Sequence, residues 1–510
     1  MQQAAPGFIG LRRPFPDPAE LRDILRDRAR AIALPAALES RYAAWRERPP
    51  AAEEKLRRAQ LVMPVEQRLL QRISMGFNLA ELEQVETLGY HAYLDRQLDP
   101  ESIDDGGLED ALHAALPTLG MSPAERLFNY HDNPIVPFFE FQIATLYRSI
   151  YSPRQLFERM VIFWTDHFNI DILSDFGIWL KPTDDAEVVR RHALKNFPDL
   201  LRASAHSPAM LEYLTNDSNV KEHPNENYPR ELLELHAMGA DNGYTQEDVR
   251  EVARCLTGWS FYNYDQGARF GRFFFNAAEH DRGRKVVLGQ VIPAGGGIED
   301  GETVLRLLGE HPNTAAFIAR KMLRYMWGYE PGEKAVDQVA QTYADTGGDI
   351  PEMLRKILTK WRLEDAPPKL KRPYHLAVSA MRSLFAGVNS PGFLLQAILS
   401  AGQLPYLWSP PNGYPDAEGY WAGLILPRWN YASEVVTHPE SGVTVNLPFL
   451  DPDLPAAELA ERIDLLLMNR MMTPTTKDVL IEFLERQPIT PDRLREALGL
   501  ALASPEFQRY

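Results

Sequence analysis

Residues 225–239 read NENYPRELLELHAMG, and this stretch indicates the fold class because it has the pattern of an amphipathic helix. Proline is tolerated in the first turn of a helix, so Pro229 predicts a helix start near Tyr228. Gly239 predicts the end of that helix. At about 100° per residue, one face carries only apolar or small side chains, which predicts a buried stripe. The predicted stripe consists of Leu232, Leu235 and Gly239.

The same helical spacing recurs along most of the chain. It is clearest at Phe157, Met160, Val161, Trp164 and Phe168, and it returns from Glu302 onward, notably over residues 317–325 and 371–384. Only residues 271–275 and 285–288 resemble strands, and they predict one small hairpin. Prolines exclude a helix from residues 408–415, which are predicted to form an ordered loop. The predicted fold class is all-α: a large multi-helix domain with a small β-hairpin insertion.

The charge balance argues against nucleic acid as a partner. The 510 residues contain 54 Lys and Arg against 70 Asp and Glu, which gives a net charge of -16. This charge opposes binding to nucleic acid or to an anionic membrane surface. The single cysteine, Cys255, excludes a disulfide framework within the chain and is predicted to be buried rather than nucleophilic. Any metal site must therefore use His, Asp and Glu.

The chain is predicted to have two parts. Residues 1–50 are predicted to be an N-terminal helical extension, because a charged helical stretch ends there in two prolines. Residues 51–510 are predicted to form a single large helical domain, which contains a signature block at about 160–290 and is densest in polar residues over 203–289. No run of eighteen apolar residues predicts an integral membrane segment. The N-terminus lacks the pattern of a signal peptide, which predicts a cytoplasmic protein as written, or an exported one if a leader was removed.

A longer signature block surrounds the opening helix. It comprises residues 225–236, 243–249, 253–254 and 256–259, and three further pieces fit the same pattern: residues 163–168, residues 280–289, and residues 410–415 with Trp421. On these residues the chain resembles the bacterial family known as domain of unknown function 1800, from about residue 64 to the C-terminus. The resemblance implies a helical fold, frequent export, and frequent companionship with an uncharacterised sulfatase-like family. It implies no activity. Members tend to carry Asn where this chain has Asp166, and Ala where it has Pro229.

Three side chains of the opening helix are candidate catalytic groups. Glu231 and Glu234 lie about 60° apart on the helical wheel and can share a site. His236 points about 140° from Glu231 on the helical wheel, so it needs partners from another helix. The two side chains therefore do not form a Glu-x-x-His pair of metal ligands on one face of the helix. Arg230 precedes Glu234 by four residues, which predicts an ordinary ion pair on the helix surface. Catalytic and structural interpretations of both carboxylates stay open.

Two further histidines are candidates. His167 lies at the edge of an apolar stripe, where a histidine either bonds to backbone or faces a cleft, and Asp171 can orient it if the helix persists that far. His280 and Asp281 lie among basic residues beside the predicted hairpin. Each candidate also has a structural interpretation. His167 can be a hydrogen-bonded histidine at the edge of the core, and His280 with Asp281 can form a polar turn.

The first predicted function is hydrolysis of a polar substrate, such as a glycan, in a cleft of carboxylates and histidines. Hydrolysis is named first because such groups serve it without a large organic cofactor. The predicted catalytic residues are Glu231, Glu234, His236 and His167. The predicted substrate-binding residues are Arg230, Tyr228, Trp259, His280, Asp281 and Tyr414. Trp164, Tyr228, Trp259, Trp408 and Tyr414 are the predicted stacking surfaces.

Two other functions compete with this one. In the second, His167, His236, His280 and a carboxylate bind a divalent metal, although no compact motif such as His-Glu-x-x-His brings them together in the sequence. In the third, the protein is a non-catalytic scaffold for a partner protein, and its polar block ties helices together. The sequence contains no Walker loop, dinucleotide-binding glycine motif or nucleophile elbow.

Overall fold

Helices make up most of the structure, as the sequence predicts. The structure is a computed structural model, and it describes residues 63–438, 441–445 and 447–510. The predicted N-terminal extension, residues 1–50, lies outside these residues. The α-helices of the first part are α1 (Val65–Ile73), α2 (Leu79–Leu88), α3 (Tyr90–Leu98), α4 (Gly106–Ala115), α5 (Pro123–Tyr130), α6 (Ile135–Tyr151), α7 (Gln155–His167), α8 (Gly177–Asp184), α9 (Phe197–Ala205) and α10 (Pro208–Tyr213).

The second part of the described chain continues the helical architecture. Its α-helices are α11 (Asn227–Glu231), α12 (Gln246–Cys255), α13 (Glu299–Glu310), α14 (Pro312–Met326), α15 (Glu333–Thr346), α16 (Ile350–Ile357), α17 (Lys360–Glu364), α18 (Pro373–Ser383), α19 (Gly392–Ser400), α20 (Glu418–Trp421), α21 (Ile425–Thr437), α22 (Ala456–Met468), α23 (Pro474–Glu485) and α24 (Pro491–Leu502). Short 3-10 turns are Pro100–Ser102, Pro117–Gly120, Asn216–Ser218 and Tyr264–Arg269. Residues 408–415 form the predicted non-helical loop.

Helix α6 lies at the centre of the fold. Its sequence IVPFFEFQIATLYRSIY is apolar on nearly every side, and all but one of its residues are buried. A helix without a polar face belongs inside a large protein. It packs against α7 and α18, which are themselves almost entirely buried. One continuous hydrophobic core runs from Leu69 to Phe507, and Cys255 is buried in it, as predicted. The domain boundary at residue 51 stays a prediction.

The β structure is more divided than the sequence suggests. Strand β1 (Trp259–Phe261) pairs with β2 (Phe273–Phe275), and β3 (Lys285–Val287) pairs with β4 (Gln290–Ile292). A third antiparallel pair joins β5 (Gly387–Val388) to β6 (Val443–Thr444). Both predicted strand segments are therefore strands, but the prediction that they form one hairpin is wrong. Each pairs instead with a short strand that is close to it in sequence and has too few residues for a periodic pattern to show.

Two π-helices interrupt the α-helical geometry: π1 (Asp185–Arg190) follows α8, and π2 (Leu232–Ala237) follows α11. In π2 the amide of Met238 donates to the carbonyl of Leu233, five residues back. This wider turn rotates later side chains away from their α-helical positions. Leu235 is consequently half-buried, and the buried face consists of Leu232, Leu233, His236 and Ala237. The predicted stripe was wrong at Leu235 because it assumed an α-helix throughout.

The helices of the described residues differ greatly in apolar character, but none of them resembles a membrane span. Within residues 63–438, 441–445 and 447–510, no helix has both the length and the apolar sequence that crossing a bilayer requires.

Candidate functional site

The C-terminal end of α7 meets α14 at two polar side chains. His167 is the last residue of α7 and is buried. Lys321 lies in α14 four residues after Phe317 and four before Tyr325, so it interrupts an aromatic stripe on one face of the helix. Its side chain is partly exposed at the edge of the core. The helices thus bring an amine and an imidazole together at a boundary between core and solvent.

The hydrogen bonds of His167 determine which of its nitrogens carries the proton. Nε2 lies 3.1 Å from the backbone carbonyl oxygen of His236, which can only accept, so Nε2 carries the hydrogen. Nδ1 then has a free lone pair, and Nζ of Lys321 donates to it at 2.8 Å. The carbonyl orients the ring, and the ring orients the amine. This chain of contacts has the form of a reacting group, a proton acceptor and an orienting group.

A carboxylate and a guanidinium complete the arrangement. Asp166 accepts a hydrogen bond from Arg372 at 2.8 Å and another from the backbone amide of Tyr414. Its side chain is 19% exposed, so solvent reaches it. Gly413 has a φ of +71°, and a Cβ there would lie 1.9 Å from the carbonyl oxygen of Asp166, so only glycine lets the loop approach so closely. We call Asp166, His167, Lys321 and Arg372 the Lys321 site.

Burial changes the protonation of these groups. It lowers the pKa of Lys321 to about 8, although Asp166 and Asp416 favour its charged form. Burial, followed by the nearby Lys321 ammonium, lowers the pKa of His167 well below its usual range. Burial also raises the pKa of Asp166 despite its contact with Arg372. At neutral pH His167 is therefore a neutral acceptor, and Lys321 loses its proton more readily than an ordinary lysine does.

His236 and Tyr228 lie beside the Lys321 site without hydrogen-bond partners. Both side chains are buried, and neither the two ring nitrogens of His236 nor the hydroxyl of Tyr228 has a partner among the described residues. The two ring centroids lie 6.3 Å apart, and the ring of His236 lies 6.2 Å from that of His167. Burial lowers the pKa of His236 to about 3. Unpaired buried polar groups are costly, and they are often found at functional sites.

Glu231 and Glu234 lie on the more exposed face of the same helix and are half-buried. Burial and the charge of Glu234 raise the pKa of Glu231. The predicted ion pair between Arg230 and Glu234 is wrong, because Arg230 turns toward Glu226 at 3.1 Å and toward Gln246 at 3.0 Å. Within the part of the chain that the structure describes, neither carboxylate has a hydrogen bond or ion pair.

His280 lies in a different part of the molecule. Its Nδ1 lies 2.8 Å from the carbonyl oxygen of Thr257, and its Nε2 lies 3.2 Å from the carboxylate of Asp300. Lys285 donates to the same Asp300 at 2.7 Å, and all three side chains are buried. We call His280, Lys285 and Asp300 the His280 triad. Both ring nitrogens of His280 are thus occupied by groups of the protein itself.

Asp281 follows His280 in sequence but has its own partners. It accepts from Arg254 at 2.7 Å and from the amide of Gly283 at 2.7 Å. These bonds lower its pKa although burial opposes them. Arg254 also binds Glu251, so Asp281 joins α12 to the turn before β3. The structure therefore does not bring His280 or Asp281 to the Lys321 site.

The aromatic side chains predicted as stacking surfaces are mostly inside the protein. Trp164 and Trp259 are 0% exposed, Tyr228 is 1% exposed and Tyr414 is 7% exposed, whereas Trp408 is partly exposed. The hydroxyl of Tyr414 donates to the carbonyl of Leu404, and the indole of Trp164 donates to the carbonyl of Ala193. Their large apolar area packs the core. Tyr414 contributes its backbone amide to the Lys321 site rather than a stacking face.

The three histidines predicted to bind a metal do not converge. His167 and His236 are neighbours, but His280 belongs to the separate triad. Among the described residues, no three His, Cys, Asp or Glu side chains are placed to hold one metal ion. The three-histidine hypothesis therefore has no matching geometry here.

Sequence reasoning missed Lys321 and Arg372. The sequence contains one indication of Lys321, because a lysine between two aromatic residues at helical spacing is unusual on a buried face. The sequence contains no such indication of Arg372, because its partner Asp166 is 206 residues away along the chain. The orienting role predicted for Asp171 is wrong, because α7 ends at His167 and Asp171 accepts instead from the amide of Leu173.

Comparison with known proteins gives one clear result. No curated protein matches the chain, and no solved structure matches it either. A family model described as "Protein of unknown function (DUF1800)" matches residues 68–509, nearly all of the described chain. This match confirms the resemblance carried by the signature block around residues 225–259. The chain therefore belongs to the DUF1800 family.

Proposed function

We propose that this protein is a hydrolase in which Lys321 transfers protons and His167 holds its amine in place. The observation that carries the proposal is the 2.8 Å contact from Lys321 Nζ to His167 Nδ1, on a ring whose other nitrogen is held by a backbone carbonyl. An amine whose pKa is lowered to about 8 can act as a base near neutral pH. His167, which the sequence predicts as a catalytic residue, is a positioning residue in this proposal, and its partner is a lysine rather than a carboxylate.

The proposed reaction needs no group beyond the protein and water. A neutral Lys321 amine accepts a proton as a water oxygen attacks the electrophilic atom of the substrate. The ammonium so formed then gives a proton to the leaving group when its bond breaks. His167 keeps the amine oriented by accepting one of its N–H hydrogens. Arg372, held by Asp166, stabilises negative charge on the substrate as it develops.

The charges around the site favour a substrate with an anionic part. Lys369 is buried and binds Asp416 at 2.9 Å, and Arg324 donates to the backbone carbonyl of Asp416 at 2.9 Å. Together with Arg372 these groups provide three cations against the two carboxylates Asp166 and Asp416, apart from the Lys321 amine. A local excess of positive charge attracts an anionic group even on a protein whose overall charge is negative.

The test is a turnover assay with nitrophenyl esters, phosphoesters and glycosides and with amino-acid anilides. We expect Lys321→Met to lower turnover by about 10²- to 10⁴-fold, the usual contribution of an acid–base group. The rate of the unaltered protein should rise with pH through about 8, because the neutral amine is the reacting form. Lys321→Arg keeps a cation without a usable base, so it should lose activity equally.

The pKa of Lys321 can be measured independently of turnover. Reductive methylation followed by NMR titration should give Lys321 a pKa near 8. His167→Gln should shift the Lys321 titration without unfolding the protein. Turnover that survives Lys321→Met, or no turnover in any substrate class, would contradict the proposal.

A second candidate site consists of Glu231 and Glu234, as the sequence predicts. Its support is that neither carboxylate has a hydrogen bond or ion pair among the described residues, and that burial and Glu234 raise the pKa of Glu231. Such a pair can supply the acid and the base of glycoside hydrolysis. Glu231→Gln distinguishes the two candidates: it should abolish turnover if the carboxylates act, and it should leave turnover intact if Lys321 does.

A further inference from the structure

A cavity of about 580 Å³ lies apart from the Lys321 site. Its walls come from α8, π1, α9, the start of α10 and β2, and none of its lining residues belongs to the Lys321 site or to the Glu231–Glu234 pair. This volume is within the range of pockets that hold small organic ligands. One wall is a π-helix, a rare element that is often found at functional sites.

Some charges that line the cavity are already satisfied by the protein. Asp184 accepts from Lys181 at 2.5 Å and from Ser207 at 2.6 Å, and both its partners are buried. Arg202 binds Glu302 through two hydrogen bonds of 2.8 and 3.0 Å. These groups shape the cavity wall, but their charges are compensated without a ligand.

Four other charged side chains line the cavity. Among the described residues, the side chains of the cations Arg191 and Arg272 and of the anions Glu187 and Asp199 make no hydrogen bond or ion pair. His192 donates from Nδ1 to the carbonyl of Val188 at 2.8 Å, which leaves Nε2 as a further acceptor. The cavity therefore presents two guanidinium groups and two carboxylates to whatever enters it.

An apolar surface accompanies these charges. Phe273 contributes to the lining, and its ring lies 4.7 Å from the ring of His206, which in turn lies 4.5 Å from that of the buried Trp259. Leu180 and Val188 add aliphatic area. A ligand with a small apolar body can pack here while its charged ends reach the arginines and carboxylates.

We propose that this cavity binds a zwitterionic ligand of the amino-acid or short-peptide class. A carboxylate on the ligand pairs with Arg191 and Arg272, and its ammonium pairs with Glu187 and Asp199. A phosphate or another purely anionic ligand is disfavoured because those two carboxylates repel it. A neutral glycan is disfavoured because it carries no charge to pair with these two arginines and two carboxylates.

The test is calorimetric titration of the full-length protein with trialanine. We expect binding by the free tripeptide, and at least about tenfold weaker binding when either its N-terminus is acetylated or its C-terminus is amidated. Arg191→Ala and Arg272→Ala should each weaken binding by about tenfold, because both side chains are exposed and unpaired. Ala203→Trp, which fills the cavity, should abolish it.

Matched controls make the result decisive. Arg284→Ala removes an exposed arginine away from the cavity and should leave tripeptide binding unchanged. Maltotriose and inorganic phosphate should not bind at this site. The proposal is overturned if trialanine fails to bind, if blocking its termini has no effect, or if the arginine variants bind as the unaltered protein does.

Discussion

The His280 triad and the Lys321 site contain the same three kinds of side chain, histidine, lysine and aspartate, but they differ in how these are paired. In the triad, Asp300 accepts from Lys285 at 2.7 Å and lies 3.2 Å from His280. In the Lys321 site the lysine binds a neutral imidazole, and the nearby aspartate is bound to an arginine instead. Neither ring nitrogen of the buried His236 next to it has a hydrogen-bond partner among the described residues.

This difference separates a structural ion network from a candidate reaction centre. A buried ammonium that is paired with a carboxylate ties two elements of the fold together. An ammonium held by an imidazole gains no compensating charge from it, so burial lowers its pKa. The type of residue is the same in both regions, and the partner determines what it can do.

The largest expected effect follows from breaking the triad. Asp300→Ala leaves the Lys285 ammonium buried without its carboxylate, so the free energy of unfolding should fall by about 3–5 kcal/mol. Denaturant unfolding at neutral pH measures this loss, and the exposed Asp337→Ala serves as the control. A loss below about 1 kcal/mol would mean that the triad does not stabilise the fold as a buried ion network.

His236 should control part of the acid stability. Its folded pKa of about 3 lies below its ordinary value of 6.5, so stability is lost as pH falls from 6.5 toward 3. At about 1.4 kcal/mol per pH unit, the loss at pH 5 should be about 2 kcal/mol. His236→Leu should reduce the slope of melting temperature against pH, whereas the exposed His113→Leu should not. Equal slopes in both variants would refute a buried neutral His236.

The two lysines should respond oppositely to the same substitution. Lys321→Met should raise the free energy of unfolding at pH 7 by on the order of 1 kcal/mol, because it removes a cation that burial disfavours. This gain should be full below pH 8 and should disappear as pH rises through 10.5, where the unfolded chain also loses the proton. Lys285→Met should instead lower the free energy of unfolding, because it leaves the buried carboxylate of Asp300 without its ammonium partner. Unfolding of both variants at two pH values tests the contrast.

The smallest expected effect concerns Glu231. Because this half-buried carboxylate has no partner among the described residues, Glu231→Ala should change the free energy of unfolding by no more than about 0.5 kcal/mol. Thermal melting measures the change. Unfolding of the variant would indicate that Glu231 ties helices together, as the scaffold hypothesis requires.

The sequence by itself determined the helical fold class, the family and the non-helical loop at residues 408–415. These depend on local information: apolar spacing, prolines in the first turn or in a loop, and a long contiguous signature block. It also located His167 and His236, which do lie side by side. The roles predicted for Glu231, Glu234 and the other site residues stay predictions.

Only the tertiary structure decided which polar groups meet. Lys321 reaches His167 across 154 residues of sequence, and Arg372 reaches Asp166 across 206. The π-helix at Leu232–Ala237 turned His236 into the core, which an α-helical period could not predict. The physical reason is that the contacts determining protonation are made between helices that are distant in sequence, whereas helical periodicity describes each helix alone.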